Sequence, residues 1–129
     1  MITTKSVRTP REAKKDGLRI LVSRFRGHLP SGRYDLWMPN LGPSETLLAG
    51  FQSGRVSWRD FAKRYEAEIF GARTAEPDNR TIKNHGQKFT LRLLQELGHR
   101  GQVTLLCHCA EDEPHCHRHV LQRILARRV

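Results

Sequence analysis

Gln102-Val-Thr-Leu-Leu-Cys107 is a short, almost wholly apolar run, followed at once by His108-Cys-Ala-Glu-Asp-Glu-Pro-His-Cys-His-Arg-His119. A run without polar alternation fits a strand covered on both faces. Pro114 fixes a turn in the polar segment, and Val120, Leu121, Ile124 and Leu125 then recur at helical spacing. Upstream, Leu91, Leu93, Leu94 and Leu97 predict a helix over about 87–97, with Gly98 as its C′ residue. The polar stretch 72–83, with Pro77 and Asn79, reads as a loop.

A second β-rich run, Leu18-Arg-Ile-Leu-Val-Ser-Arg-Phe25, reads as another buried strand, and Tyr34-Asp-Leu-Trp-Met38 as a short one. Ser44 predicts a cap for a helix over 45–52 carrying Leu47, Leu48 and Phe51. Ser57 caps a second, whose apolar stripe is Trp58, Phe61, Ala62, Tyr65 and Ile69, stopped by Gly71. Strand, helices, strand, helix is the order of an α/β protein, here a small single domain with a short, mainly parallel sheet and flanking helices. Residues 1–17 read as a basic N-terminal arm or edge strand, and 18–129 as the single α/β domain.

The length of 129 residues suits one domain with a modest core. No apolar run approaches the roughly 20 residues of a membrane helix, and the first residues lack the apolar stretch of a secretion signal. The expectation is a cytoplasmic protein without a membrane partner. Lys plus Arg number 23 against 13 Asp plus Glu, a net charge of +10. Residues 1–33 alone carry nine basic and two acidic side chains. Such a field favours polyanions, so nucleic acid or a phosphorylated small molecule is the expected partner class; a solvated charged face is the plain alternative.

All three cysteines and four of the seven histidines fall between 107 and 119. The segment leaves the carboxyl end of a predicted strand and enters a helix N-terminus, where open α/β sheets bind ligands and free amides favour anions. One reading makes Cys107 or Cys116 a nucleophile, with His117 handling protons and Arg118 holding an anionic group. The helix dipole and Arg118 predict a lowered pKa for Cys116. Arg24 and Arg26 would then close the first strand beside the cysteine loop as ligand-binding groups, with Trp37 available for stacking. A second reading gives zinc to Cys107, Cys109 and Cys116 with one of His115, His117 or His119, of which His119 is taken as the ligand. The spacing is not that of a standard zinc finger. A third, Cys109 with Cys116 as a redox pair, has no disulfide framework behind it. The plain alternative makes Cys107 a small apolar filler at a strand end and the histidines surface residues.

Three blocks resemble the YeaO-like family of unknown function, DUF488. They are Arg19-Ile-Leu-Val-Ser-Arg-Phe-Arg-Gly27; the series Asp35-Leu-Trp37, Leu41-Gly-Pro-Ser44, Leu48, Phe51, Trp58, Phe61, Tyr65 and Glu68; and Val103-Thr-Leu-Leu-Cys107 with Cys116-His-Arg118. The resemblance implies a compact α/β domain and two cysteines marking an active site. It implies no reaction. Members usually have Cys-x-Glu after the strand, whereas Cys109 fills that third position here and Glu111 comes later. The extra thiol strengthens the metal reading.

Overall fold

A computed structural model describes residues 1–30, 32–71 and 86–129. Its elements in chain order are β1 (Ile2–Ser6), α1 (Ala13–Asp16), β2 (Leu18–Leu21), β3 (Leu36–Trp37), a 3-10 turn (Pro39–Leu41), α2 (Glu45–Gln52), α3 (Trp58–Ile69), α4 (Lys88–Arg100), β4 (Val103–Cys107) and α5 (His117–Leu125). The strands form one four-stranded sheet, entirely parallel, in the order β1-β4-β2-β3. The protein is therefore an α/β domain. The predicted loop over 72–83 lies outside the described residues.

β4 is central, with Val103 level with Ile2 of β1 and with Leu18 of β2. All five of its residues are buried, as a nearly continuous apolar run requires, and the one polar side chain, Thr104, donates to the Asp16 carbonyl at 2.7 Å. The two faces are covered differently. Ile20, Val22, Val103 and Leu105 meet Leu47 of α2, Phe61 and Tyr65 of α3, Leu91 and Leu94 of α4, and Val120 and Ile124 of α5. Leu21 and Leu106 point the other way, onto Val7, Leu29 and Tyr34. Helices thus supply the core on one face, and Val7 of the N-terminal segment covers the other together with Leu29 and Tyr34.

That second face is held by a polar network. Arg19 is fully buried; its guanidinium donates to Asp16 at 2.7 Å, to the Arg33 carbonyl at 2.9 Å and to the Thr9 carbonyl at 3.1 Å. Lys5 reaches the other Asp16 oxygen at 2.6 Å. Arg11 pairs with both oxygens of Asp35, at 3.1 and 2.9 Å. Much of the N-terminal positive charge is therefore committed to internal partners.

Two predicted boundaries move. β2 stops at Leu21, because Val22 onward turns across the sheet end to build the site. α4 runs through Gly98 to Arg100 instead of stopping before it. A Cβ on Gly98 would lie 2.6 Å from Ile2 Cγ1, so this glycine is the gap through which β1 packs on the helix. The Met1 ammonium donates to the Gly98 carbonyl on the same spot.

Candidate functional site

β2 and β4 are parallel neighbours, so their carboxyl ends emerge side by side; the Val22 amide still donates to the Leu106 carbonyl at 2.9 Å. Cys107 ends β4, and Cys116 is the N-cap residue of α5. Both thiols are buried. His117, the first residue of α5, turns inward: Nε2 lies 2.8 Å from the Val22 carbonyl, while Nδ1 lies 3.9 Å from Cys107 Sγ and 4.0 Å from Cys116 Sγ. A carbonyl only accepts, so Nε2 carries the proton and Nδ1 presents its lone pair to the sulfurs. Burial lowers the His117 pKa and keeps the ring neutral. Tyr65 holds the ring from behind, edge-on at 5.4 Å, its hydroxyl donating to the Leu41 carbonyl at 2.6 Å.

The three sulfurs share protons unequally. Thiol hydrogen bonds from Cys109 and Cys116 outweigh desolvation at Cys107, and the amides of Cys109 and His108 add to them; its pKa falls to about 3. Cys116 moves up instead, because its hydrogen bonds to Cys107 and Cys109, together with burial, keep its proton on. Cys109 is raised by its bond to Cys107. Hydrogen bonding thus favours ionisation at Cys107, and the expected lowering at Cys116 is corrected: its neighbouring sulfurs outweigh the helix dipole.

A cavity of about 180 Å³ opens onto this cluster. Cys107, Cys109 and His117 meet it from one side, Ser23, Arg24 and Phe25 from the end of β2, and Leu48, Phe51 and Phe61 from α2 and α3. His115 closes one edge, stacked on Trp58 at 5.0 Å. Arg24 is fixed by bonds from Nε to the Pro43 carbonyl at 2.7 Å and from Nη2 to the Gly42 carbonyl at 2.8 Å. Its Nη1 has no hydrogen-bond partner among the described residues. The lining includes no carboxylate. The cavity therefore combines apolar walls with Arg24, two cysteines and three histidines among its lining residues.

The structure brings together Arg24, Cys107, Cys109 and His117 at the cavity, with Cys116 grouped with Cys107 and His117; Arg26, Trp37, Arg118 and His119 are not in the cavity lining. Arg118 is fully buried and donates to the carbonyls of Cys109 at 3.3 Å, Ala110 at 3.0 Å and Glu111 at 3.1 Å. It holds the cysteine loop and is not among the residues lining the cavity. Arg26 and Trp37 are exposed and pair with each other, the guanidinium 5.9 Å from the ring centroid, away from the cavity. His119 hydrogen-bonds the Glu113 carbonyl at 2.9 Å. The histidine facing the thiols is His117 instead, because two residues along a helix is about 200° of rotation.

Sequence reasoning missed Phe51 and Phe61 as cavity walls, since an apolar helical stripe signals core and nothing in it marks the exposed end. The Glu68 carboxylate accepts the Ser44 amide at 2.8 Å, joining α3 to the start of α2. Glu111 accepts from the Ser6 amide at 3.1 Å and the Thr9 hydroxyl at 2.7 Å, tying the loop to β1.

No curated protein and no solved structure matches the chain. A family profile described as the active DUF488-N3 subclade matches residues 2–129. That match spans both cavity-forming strands, the cysteine loop and α5, and the chain belongs to the DUF488 family.

Proposed function

We propose that the protein is a small enzyme acting on an anionic ligand, a nucleotide or another phosphorylated small molecule, at the Cys107–Cys116–His117 centre. The observation that carries this reading is that Cys107 and Arg24 line the same cavity. A planar guanidinium whose Nη1 has no partner among the described residues suits a phosphate or carboxylate oxygen. At about 180 Å³ the cavity is below the roughly 300 Å³ of a typical ligand pocket. It admits one ring or one acidic group, with the remainder of the ligand outside. The subclade's description as active agrees with an enzyme.

Alkylation of reduced, chelator-treated protein tests this. Iodoacetate is anionic and iodoacetamide neutral, so Arg24 should favour the former at Cys107. Arg24→Ala should lower that preference by about fivefold, equivalent to ~1 kcal/mol of charge attraction. Cys107 left unmodified by both reagents in the folded protein, yet modified after unfolding, would overturn the reading.

A second reading, a non-catalytic nucleic-acid module, is favoured by the exposed Arg26–Trp37 pair beside exposed Phe25. A cation over an aromatic ring next to a second aromatic is a platform for stacked bases, and Arg8, Lys14 and Lys15 add exposed positive charge. Salt-sensitive binding of single-stranded oligonucleotides, lost in Trp37→Ala and retained in Cys107→Ser, would establish it. Absence of binding at low salt would remove it.

A further inference from the structure

We propose that Cys107, Cys116 and His117 hold a soft divalent metal ion of the zinc class, with the fourth coordination position facing the cavity beside Cys109. This deepens the enzyme reading and rests on the same cavity. The three ligand atoms all lie within 4.8 Å of one another, and Nδ1 is 3.9 and 4.0 Å from the two sulfurs. Bond lengths of about 2.3 Å to sulfur and 2.0 Å to nitrogen in a tetrahedron place such atoms roughly 3.6 Å apart. The two nitrogen–sulfur spacings thus need to contract by about half an ångström or less to seat the ion, and the two sulfurs lie within 4.8 Å of each other.

Three further features point the same way. The imidazole is already in the tautomer a metal requires, because Nε2–H is committed to the Val22 carbonyl; an outer hydrogen bond of this kind fixes ligating histidines. The ligands come from a strand end and the first turn of a helix, so none depends on a long loop for its position. Two thiolates neutralise a divalent cation, which makes the buried group electrically balanced without a carboxylate. Thiolate with imidazole is a set that selects zinc over magnesium or calcium.

Cys109 also lines the cavity and is less buried than the other two thiols. It falls outside the group of atoms that are mutually within 4.8 Å. Because Cys107 and His117 line the same cavity as Arg24, a fourth position left open on that side is within reach of an anionic ligand or water there. Three protein ligands with a fourth exchangeable position is the arrangement of catalytic zinc.

The test is a cobalt(II) titration of the reduced, chelator-treated full chain, followed by zinc displacement. One equivalent should bind, with the visible bands of tetrahedral cobalt and near-ultraviolet charge-transfer intensity corresponding to two thiolates. Cys116→Ser and His117→Ala should each weaken binding by at least about tenfold, whereas Cys109→Ser should keep the stoichiometry. Less than about 0.2 equivalents bound by the folded wild-type chain would overturn the proposal. Charge-transfer intensity for three thiolates, lost together with binding in Cys109→Ser, would overturn the open position; this count uses wild-type protein and does not depend on the His117 variant folding. The iodoacetate preference, read in metal-free protein, fails or holds independently of the cobalt spectrum.

Discussion

The Nε2–H of His117 donates to the Val22 carbonyl at 2.8 Å, and this bond joins the start of α5 to the end of β2. It explains why β2 stops where it does: the carbonyl that would continue the strand is used to orient a side chain. His117 is nearly fully buried, so neither partner can turn to water instead. His117→Phe keeps most of the ring volume and deletes the bond, leaving the Val22 carbonyl without a partner. Urea unfolding should show a loss of about 1–3 kcal/mol with an unchanged m-value. An unchanged midpoint would mean that the bond contributes nothing to orienting the ring.

Asp16 and Arg19 make the corresponding junction on the opposite face of the sheet. Both side chains are within 1 % of full burial. Removing the carboxylate charge in Asp16→Asn leaves a buried guanidinium uncompensated, at an expected cost of about 3–5 kcal/mol. Urea or thermal unfolding at neutral pH measures it. A loss below about 1 kcal/mol would mean that the carbonyls of Thr9 and Arg33 suffice for Arg19.

The same carboxylate predicts a pH dependence. Desolvation alone would raise the Asp16 pKa, but hydrogen bonds from Lys5, the Glu12 amide and Arg19 prevail and hold it at about 2, against an ordinary 3.8. The folded value is the lower one, so the unfolded chain binds the proton first. The resulting stabilisation, about 2 kcal/mol, is complete above roughly pH 4 and is lost as pH falls towards 2. Stability measured between pH 5 and 2 should therefore fall less steeply in Asp16→Asn than in the wild type. Parallel curves would assign the acid sensitivity to other carboxylates, Asp35 first.

Much of this was legible in the residues, for identifiable reasons. Ile20–Val22 carries no polar position and Val103–Cys107 only Thr104, and a two-sided cover suits such strands. The stripe from Trp58 to Ile69 and the serines before it fixed α3 by period and cap. The crowding of cysteine and histidine after β4 located the cluster, because a strand end leading to a helix start is where such a sheet opens. Three things were not legible. Gly98 looks like a helix stop unless one knows that Ile2 packs against it. The choice between His117 and His119 is one of helix rotation, which sequence proximity to Cys116 does not settle. The role of Arg118 depends on where the Cys109–Glu111 carbonyls turn, and three carbonyls converging on a guanidinium leave no trace in composition.

Arg118 and Arg24 should consequently behave as opposites. Arg118→Met keeps much of the side-chain length and removes the donors that hold the loop. Hydrogen exchange should quicken at the amides of residues 109–113, and stability should fall by about 2–4 kcal/mol. The iodoacetate preference at Cys107 should stay within about twofold of wild type at temperatures where the variant is folded. Arg24→Ala should lower that preference with little change in loop exchange. A variant of Arg118 that loses the preference without faster exchange would restore it as an anion-binding group.

Gly42 offers a test of how Arg24 is aimed. The Gly42 carbonyl accepts from Nη2 of Arg24, and the two backbones lie so close that a Cβ on Gly42 would sit 2.5 Å from the Arg24 amide nitrogen and 2.9 Å from its Cα. These are backbone atoms, so no side-chain rotation relieves the contact. Its φ of −79° is open to any residue, and the constraint is therefore one of space and not of backbone conformation. Gly42→Ala must push the 3-10 turn away from the end of β2, at a cost of about 1–3 kcal/mol. The displacement also separates the Gly42 and Pro43 carbonyls from the guanidinium they orient. Gly42→Ala should then lose the charge-dependent part of Cys107 alkylation, as Arg24→Ala does, although every charged group is still present. Retention of the full iodoacetate preference in the folded variant would show that Arg24 reaches the cavity without that support.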